Sequence, residues 1–465
     1  MAGIGFQLAR TATDGGVGGI VGAAAFGALI SAGPWLITAV AMAALNGWSV
    51  GHLLRADAVI VHTVLIYGFS LSALAAAPIG ILATRMAADR IFARDAAGVT
   101  GIVIVALAAG GAIALVVGAL LFGFLAGLSP GRAMLATIIL AWLTQIWIVA
   151  PLLTTLRRYR AVPLAYLGGI GLAVILLAFL PARDASGVLA AIAIGVGVTL
   201  AAILWTIHCH FAAPPRLRLR GAITPGLARI VAAAGTAAVA AIWIDKWLLW
   251  AGPDSVATIG WLRLNPINDQ GSFLGLLTMV PGLTLILVVG ETRFDRAFGD
   301  LIARCTGTST LERVEEARRE VRRTLLDALR LLVLVQALVA ALAWVLAVPL
   351  FDAIGADTRA IFAFRQTSLG AVFHLIAIAA TVALAYYDLF GRIMLTWTAF
   401  AIASAVATLL QWNYGFAAFG WGYMAGAVVG ACVAMALVAE ATVNLIYLLF
   451  VGNNPSVVGQ QGRLL

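Results

Sequence analysis

One feature recurs almost from end to end of this chain: apolar runs long enough to cross a bilayer as helices, separated by short polar breaks, from Val17 to Phe450. A helix needs about 20 such residues to cover the hydrocarbon core. Twelve candidate spans begin near Val17, Ala58, Val99, Ala133, Val162, Val188, Ile230, Phe273, Leu331, Ile361, Ile393 and Phe416. The expected fold is therefore all-α and polytopic, with twelve transmembrane helices. A soluble globular fold is excluded, because only 11% of the 465 residues are charged and 63% are hydrophobic, whereas a soluble domain carries about 25% charged residues. No alternating strand pattern of the outer-membrane barrel type is present.

The formal net charge of +9 reads as topology rather than as a nucleic-acid footprint. Arginines concentrate on one side of the expected membrane, at Arg157, Arg158 and Arg160, at Arg216, Arg218, Arg220 and Arg229, and in a cluster from Arg293 to Arg323. The positive-inside rule then places both termini in the cytoplasm. The N-terminus has no basic leader and no cleavage pattern, so the first apolar run is expected to remain as a membrane helix.

The largest polar segment, 292–330, contains a helix start, because Ser309 and Glu312 form a capping-box pattern. Leu311, Val314, Ala317, Val321 and Leu325 then recur at helical spacing, with Glu315 and Arg319 on the wet side. Such a helix is either the solvated extension of the next span or a docking surface for a cytoplasmic partner, with Glu312, Glu315, Arg318, Arg319 and Arg322 as the docking candidates. Two prolines hint at a duplication: Pro78 breaks the second span and Pro281 the eighth, each followed twelve residues later by an arginine, Arg90 and Arg293. The expected organisation is two six-helix halves, 1–215 and 216–465. Hinge candidates are Pro78, Pro281 and, in the glycine-rich first span, Gly33 and Pro34.

An ionised side chain inside the membrane costs about 2.5–3.5 kcal/mol on insertion scales, so each calls for a role. Of the 29 basic residues only Lys246 is a lysine. It follows Asp245 in the seventh span, among Trp243, Trp247 and Trp250. Adjacent helical residues point about 100° apart, so each is expected to seek a partner on another helix or in an aqueous cavity; the opposing reading is an aromatic belt with Lys246 snorkelling to the periplasmic surface. Arg365 and His374 fall on opposite faces of the tenth span, and His374 reads as a packing histidine. Gln145, Gln336 and Asn444 suit hydrogen bonding between helices. The last helix, from Phe416 to Phe450, would span about 50 Å and carry Glu440 out of the membrane.

His208-Cys209-His210 lacks a second ligand cluster, and three scattered cysteines (Cys209, Cys305, Cys432) form no thiolate site. No Walker or Gly-x-Ser-x-Gly motif occurs. Neither a metal nor a cofactor is expected, nor an ATP-driven pump; a secondary transporter or flippase is.

Several stretches sharpen this reading: the opening Met1 to Phe6, Leu29-Ile30-Ser31-Ala32-Gly33-Pro34-Trp35, Ile244-Asp245-Lys246-Trp247, and Val280-Pro281-Gly282 leading into Glu291-Thr292-Arg293-Phe294. Together they resemble the Pel exopolysaccharide transporter family, PelG, of the multidrug/oligosaccharidyl-lipid/polysaccharide flippase superfamily. The resemblance covers nearly the whole chain in order. It implies two six-helix bundles around a V-shaped cavity, and translocation of an N-acetylgalactosamine-rich polymer from cytoplasm to periplasm across the bacterial inner membrane for the biofilm matrix. Implied partners are the cytoplasmic glycosyltransferase of the Pel system and inner-membrane scaffold and cyclic di-GMP receptor proteins, with no nucleic acid. One departure is the loop between the seventh and eighth spans, Gly252 to Gln270, which carries Trp261 and Arg263 and is longer than the resemblance implies. On this reading the path candidates are Asp245, Lys246, Arg365, Gln145, Trp142 and Trp147, the indoles serving as sugar platforms and the ionic pair hydrating the outer cavity. Alternatives are a cation-coupled multidrug antiporter, a lipid-linked oligosaccharide flippase and, more remotely, a polytopic acyltransferase using His374 and not a transporter at all.

Overall fold

The computed structural model describes residues 52–452 except 157, 159, 180–183, 212–213 and 217–222, together with Gly27 and Trp48. Eleven helices among the described residues are long and apolar enough to cross a membrane. They correspond one to one with the second to twelfth expected spans. The first span, with Gly33 and Pro34, lies outside the described residues.

The helices are α1 (Arg55–Phe92), α2 (Ala96–Gly118, continued as a π-helix over Ala119–Leu125), α3 (Pro130–Thr155), α4 (Ala161–Phe179), α5 (Ala185–His210) and α6 (Pro225–Ala251). A two-stranded hairpin, β1 (Val256–Ala257) and β2 (Arg263–Leu264), separates them from α7 (Pro266–Leu277) and α8 (Val280–Val289). The chain continues through α9 (Asp295–Thr306), α10 (Leu311–Ile354), α11 (Ala360–Tyr386), α12 (Phe390–Leu410), α13 (Trp421–Val443) and the single turn α14 (Leu445–Tyr447). Side-chain caps start several of them. Asp95 accepts from the Gly98 amide, Asp184 from the Gly187 amide, and Asn265 from the Asn268 amide, with Pro266 at the first helical position.

Two compact units divide the chain within α6: the described residues from Trp48 to Val239, with the hairpin Ser255–Leu264, belong to one, and Ala240–Asp254 with Asn265 onward to the other. In the first unit, α3 packs against α1, α2 and α5. Two layers of apolar side chains fill it, one around Val64, Phe122, Ile139 and Val188, the other around Ala87, Ile146, Leu153 and Ile203. Ends expected on the arginine-poor face meet there, since Arg132 reaches Asp57 at 3.0 Å and Asp184 at 3.5 Å. The hairpin stays on that face: Tyr67 donates to the Arg263 carbonyl at 2.7 Å, and the Trp261 amide donates to the Leu125 carbonyl.

In the second unit α11 is central, touching α7, α10 and α13. Lipid tails are as apolar as the side chains, so these contacts rest on close packing rather than on exclusion of water. Gly422, Gly426 and Gly430 repeat every fourth residue along α13 and lie directly against Thr408, Ser404 and Phe400 of α12. At the start of α13, Gly420 has φ +83°, and a β-carbon there would stand 2.8 Å from the Ala363 carbonyl oxygen.

Several local expectations are corrected. Pro78 lies inside an unbroken α1, whereas the eighth span does break, at Thr278 and Met279 between α7 and α8. Gln336 of α10 donates to the Thr278 carbonyl at 2.8 Å and so satisfies the backbone at that break. The helix of the polar segment starts one residue later than the capping pattern suggests, with Thr310 at the N-cap, and it makes no side-chain cap. It then runs for 44 residues as one helix into the ninth span. The last helix is not continuous to Phe450 as expected: it ends at Val443, with the Asn444 amide donating to the Glu440 carbonyl and the Asn444 side chain to the Glu440 carboxylate, and helical structure resumes in α14 and a π-helical stretch over Leu448–Gly452. Glu440 also pairs with Arg392.

Candidate functional site

The ionic residues of α6 form the centre of a buried cluster in the second unit. Asp245 and Lys246 are 1% and 4% exposed, so neither reaches an open aqueous surface. Contrary to the expectation from their 100° separation, they pair with each other: Lys246 Nζ lies 3.0 Å from both carboxylate oxygens of Asp245. The four-carbon stem of lysine folds back along the helix, and Nζ also donates to the Ile242 carbonyl at 3.1 Å. This geometry excludes snorkelling and leaves the pair neutral.

Lys246 has an aromatic partner as well, its Nζ sitting 5.2 Å from the ring centroid of Tyr423 on α13. The Tyr423 hydroxyl shares a 2.6 Å hydrogen bond with His374 Nδ1 on α11. The edges of Trp397 and Phe400 enclose that imidazole at centroid distances of 5.5 and 5.1 Å. His374 is thus a satisfied packing histidine. Tyr423 links it to the ionic pair.

A second carboxylate stands close by. Asp269, in the first turn of α7, accepts from Trp250 Nε1 at 3.1 and 2.9 Å. Asn265, Asn268, Ser272 and Thr367 continue the polar patch inward, all buried; Thr367 donates to Ser272, and Ser272 to Asn268. Asp245, Thr408 and Gln411 line a cavity of about 10 Å³, room for about one water molecule. The Gln411 side-chain oxygen Oε1 has no hydrogen-bond partner among the described residues, which a single water there would supply.

Sequence reasoning found Asp245, Lys246 and His374 but missed Asp269 and Tyr423. Asp269 belongs to the stretch read as a loop. The Asn265-Pro266 pair is a helix-start signal that would have moved it into a helix. Tyr423 carries no local signal.

The remaining path candidates belong to both units. Arg365 stacks over Trp344 at 5.3 Å and donates to its carbonyl, on the face of α11 away from His374. In the first unit, Trp142 abuts Gly197 of α5, Gln145 abuts Gly111 of α2, and Trp147 meets Phe69 of α1 edge-on at 5.4 Å. These three side chains of α3 address three different helices and do not share one surface. Of the docking candidates, Glu312, Glu315, Arg319 and Arg322 are exposed, while Arg318 is partly buried and donates to the Val443 carbonyl.

This architecture is similar to solved transporters. The outward-facing form of a multidrug resistance MATE family transporter of the MOP superfamily superposes with TM-score 0.64 at 14% identity, over 90% of this chain and 96% of that one. A MOP superfamily transporter from Pyrococcus furiosus with a binding pocket of reversed polarity gives 0.61 at 13% identity, over 96% and 97%. An inward-facing MATE conformation gives 0.56 at 14%, over 88% and 99%. At these identities the likeness is one of fold. No curated protein matches the chain by sequence. A family model does, over residues 1–450, described as "PelG: Putative exopolysaccharide Exporter (EPS-E)". With 450 of its residues matched and the fold of a MOP transporter, the chain belongs to the PelG family of exopolysaccharide exporters.

Proposed function

We propose that the protein carries the Pel polymer, rich in N-acetylgalactosamine, across the bacterial inner membrane from cytoplasm to periplasm, with both termini in the cytoplasm. The family match along almost the entire chain is the observation that carries this reading. The arginine-rich face, which includes α9 and the first half of α10, is the cytoplasmic one. There the glycosyltransferase that builds the polymer and the scaffold and cyclic di-GMP receptor proteins dock, with Glu312, Glu315, Arg319 and Arg322 as the available contacts. The protein acts as a carrier and catalyses no covalent step.

The Asp245–Lys246 pair, whose two opposite charges offset each other, fits a polymer of uncharged sugars. Held by Tyr423, and flanked by the Asp269–Trp250 bond, the pair fixes the outer end of the second unit rather than hydrating an open cavity. Deleting the gene in its host tests the reading. Polymer that stays inside the cell, or synthesis that halts until the gene is restored, is the expected outcome. Unchanged extracellular polymer, together with energised efflux of cationic dyes by the purified protein, would overturn it in favour of an antiporter.

A further inference from the structure

The second unit contains a larger cavity than the one beside Asp245, at the other end of the eighth and ninth spans. It measures about 400 Å³ and lies between the end of α8 and the middle of α10. That volume falls in the range of small-molecule sites, about 300–1,000 Å³. Its walls are of two kinds. Val289 and Leu331 are apolar, while Arg293, Glu320, Arg323 and Asp327 are charged.

The sequence fixes its depth. Val289 stands two residues before Glu291, the first charge after the apolar run of the eighth span, and Leu331 opens the uncharged run of the ninth directly after Arg330. The cavity therefore straddles the level at which both helices leave the hydrocarbon, its apolar wall toward the membrane and its charged wall toward water. A π-helical turn over Gly290–Phe294 carries Arg293 to its place in the wall.

The charges are balanced and only loosely satisfied. Arg323 Nε lies 4.0 Å from Asp327, whose other oxygen accepts from Arg330 at 3.3 Å. Neither Arg293 nor Glu320 has an ion pair among the described residues. Two guanidiniums suit a phosphate, and two carboxylates suit an ammonium. A purely anionic headgroup would face both carboxylates, and a soluble zwitterion would leave the apolar wall bare.

We infer that this cavity binds a zwitterionic glycerophospholipid carrying a primary ammonium, its phosphate on Arg293 and Arg323, its ammonium on Glu320 and Asp327, and its acyl chains along Val289 and Leu331. The lipid joins the eighth and ninth spans at the cytoplasmic face. This holds whichever substrate the protein carries.

The test uses the purified, delipidated full-length protein and four probes: phosphatidylethanolamine, phosphatidylglycerol, phosphatidylcholine and water-soluble glycerophosphoethanolamine. Binding is read by native mass spectrometry and by the shift in Tm. Phosphatidylethanolamine is expected to bind best, and Glu320→Gln or Arg293→Gln to weaken it by about tenfold, the equivalent of about 1.4 kcal/mol. Arg322→Gln, on the opposite face of α10, should leave it unchanged. All four chains should unfold alike without lipid, since the three side chains are exposed. Equal or tighter binding of phosphatidylglycerol, equal binding of the soluble headgroup, or indifference to Glu320→Gln would each overturn the assignment.

Discussion

A lysine inside an apolar span costs about 2.5–3.5 kcal/mol on insertion scales, and Lys246 offsets that cost with three contacts at once: the Asp245 carboxylate, the Ile242 carbonyl and the Tyr423 ring. Removing one member of a buried pair leaves the other uncompensated, so Lys246→Met should destabilise the protein by about 3 kcal/mol or more in unfolding measurements. The double variant Asp245→Asn/Lys246→Met should recover most of that loss. Equal losses in the single and double variants would contradict the pairing. Tyr423→Phe should cost about 1–3 kcal/mol, because it strips the buried His374 nitrogen of its partner. That an ion pair lies in the seventh span is visible in the residues Asp245 and Lys246 themselves. That the two satisfy each other is not, since the pairing depends on how a flexible stem folds back over Tyr423, a residue far away in the chain.

At the level of the helix, hydropathy located each of the eleven described spans, and proline located one of the two breaks expected from it. Pro78 is accommodated inside α1, whereas the eighth span breaks just before Pro281, at Thr278 and Met279, with Pro281 in the first turn of the helix that resumes. The difference lies in what satisfies the freed backbone, and at Thr278 that is the side chain of Gln336 from another helix. Gln336→Leu keeps the volume but removes the donor, and thermal unfolding should report a loss of about 1–2 kcal/mol. The interruption at Asn444 is hidden from hydropathy, because the residues beyond it are as apolar as those before. Gly426 lies against Ser404 and Phe400 with no room for a β-carbon, the nearest atom standing at 2.6 Å. Gly426→Leu should therefore separate α12 from α13 and sharply reduce the yield of folded protein; a normal yield and Tm would refute the close packing.

For the whole molecule, composition and arginine distribution imply both the membrane class and its direction. The direction predicts that Cys305, on the arginine-rich side, reacts with an impermeant thiol reagent only after the inner membrane is opened, while a cysteine replacing Trp261 in the hairpin reacts from the periplasm. The opposite pattern would invert the topology. The substrate is legible through family membership rather than through any one side chain, because no aromatic or ionic group found in the sequence marks a sugar path by itself; Trp142, Gln145 and Trp147 face three different helices. The most direct test of export uses inverted inner-membrane vesicles that hold the synthase and are supplied with an activated N-acetylgalactosamine donor. With this protein present, new polymer should accumulate in the lumen, protected from added glycoside hydrolase until detergent is added. Equal protection without the protein, or polymer that stays fully accessible with it, would contradict the assignment as exporter.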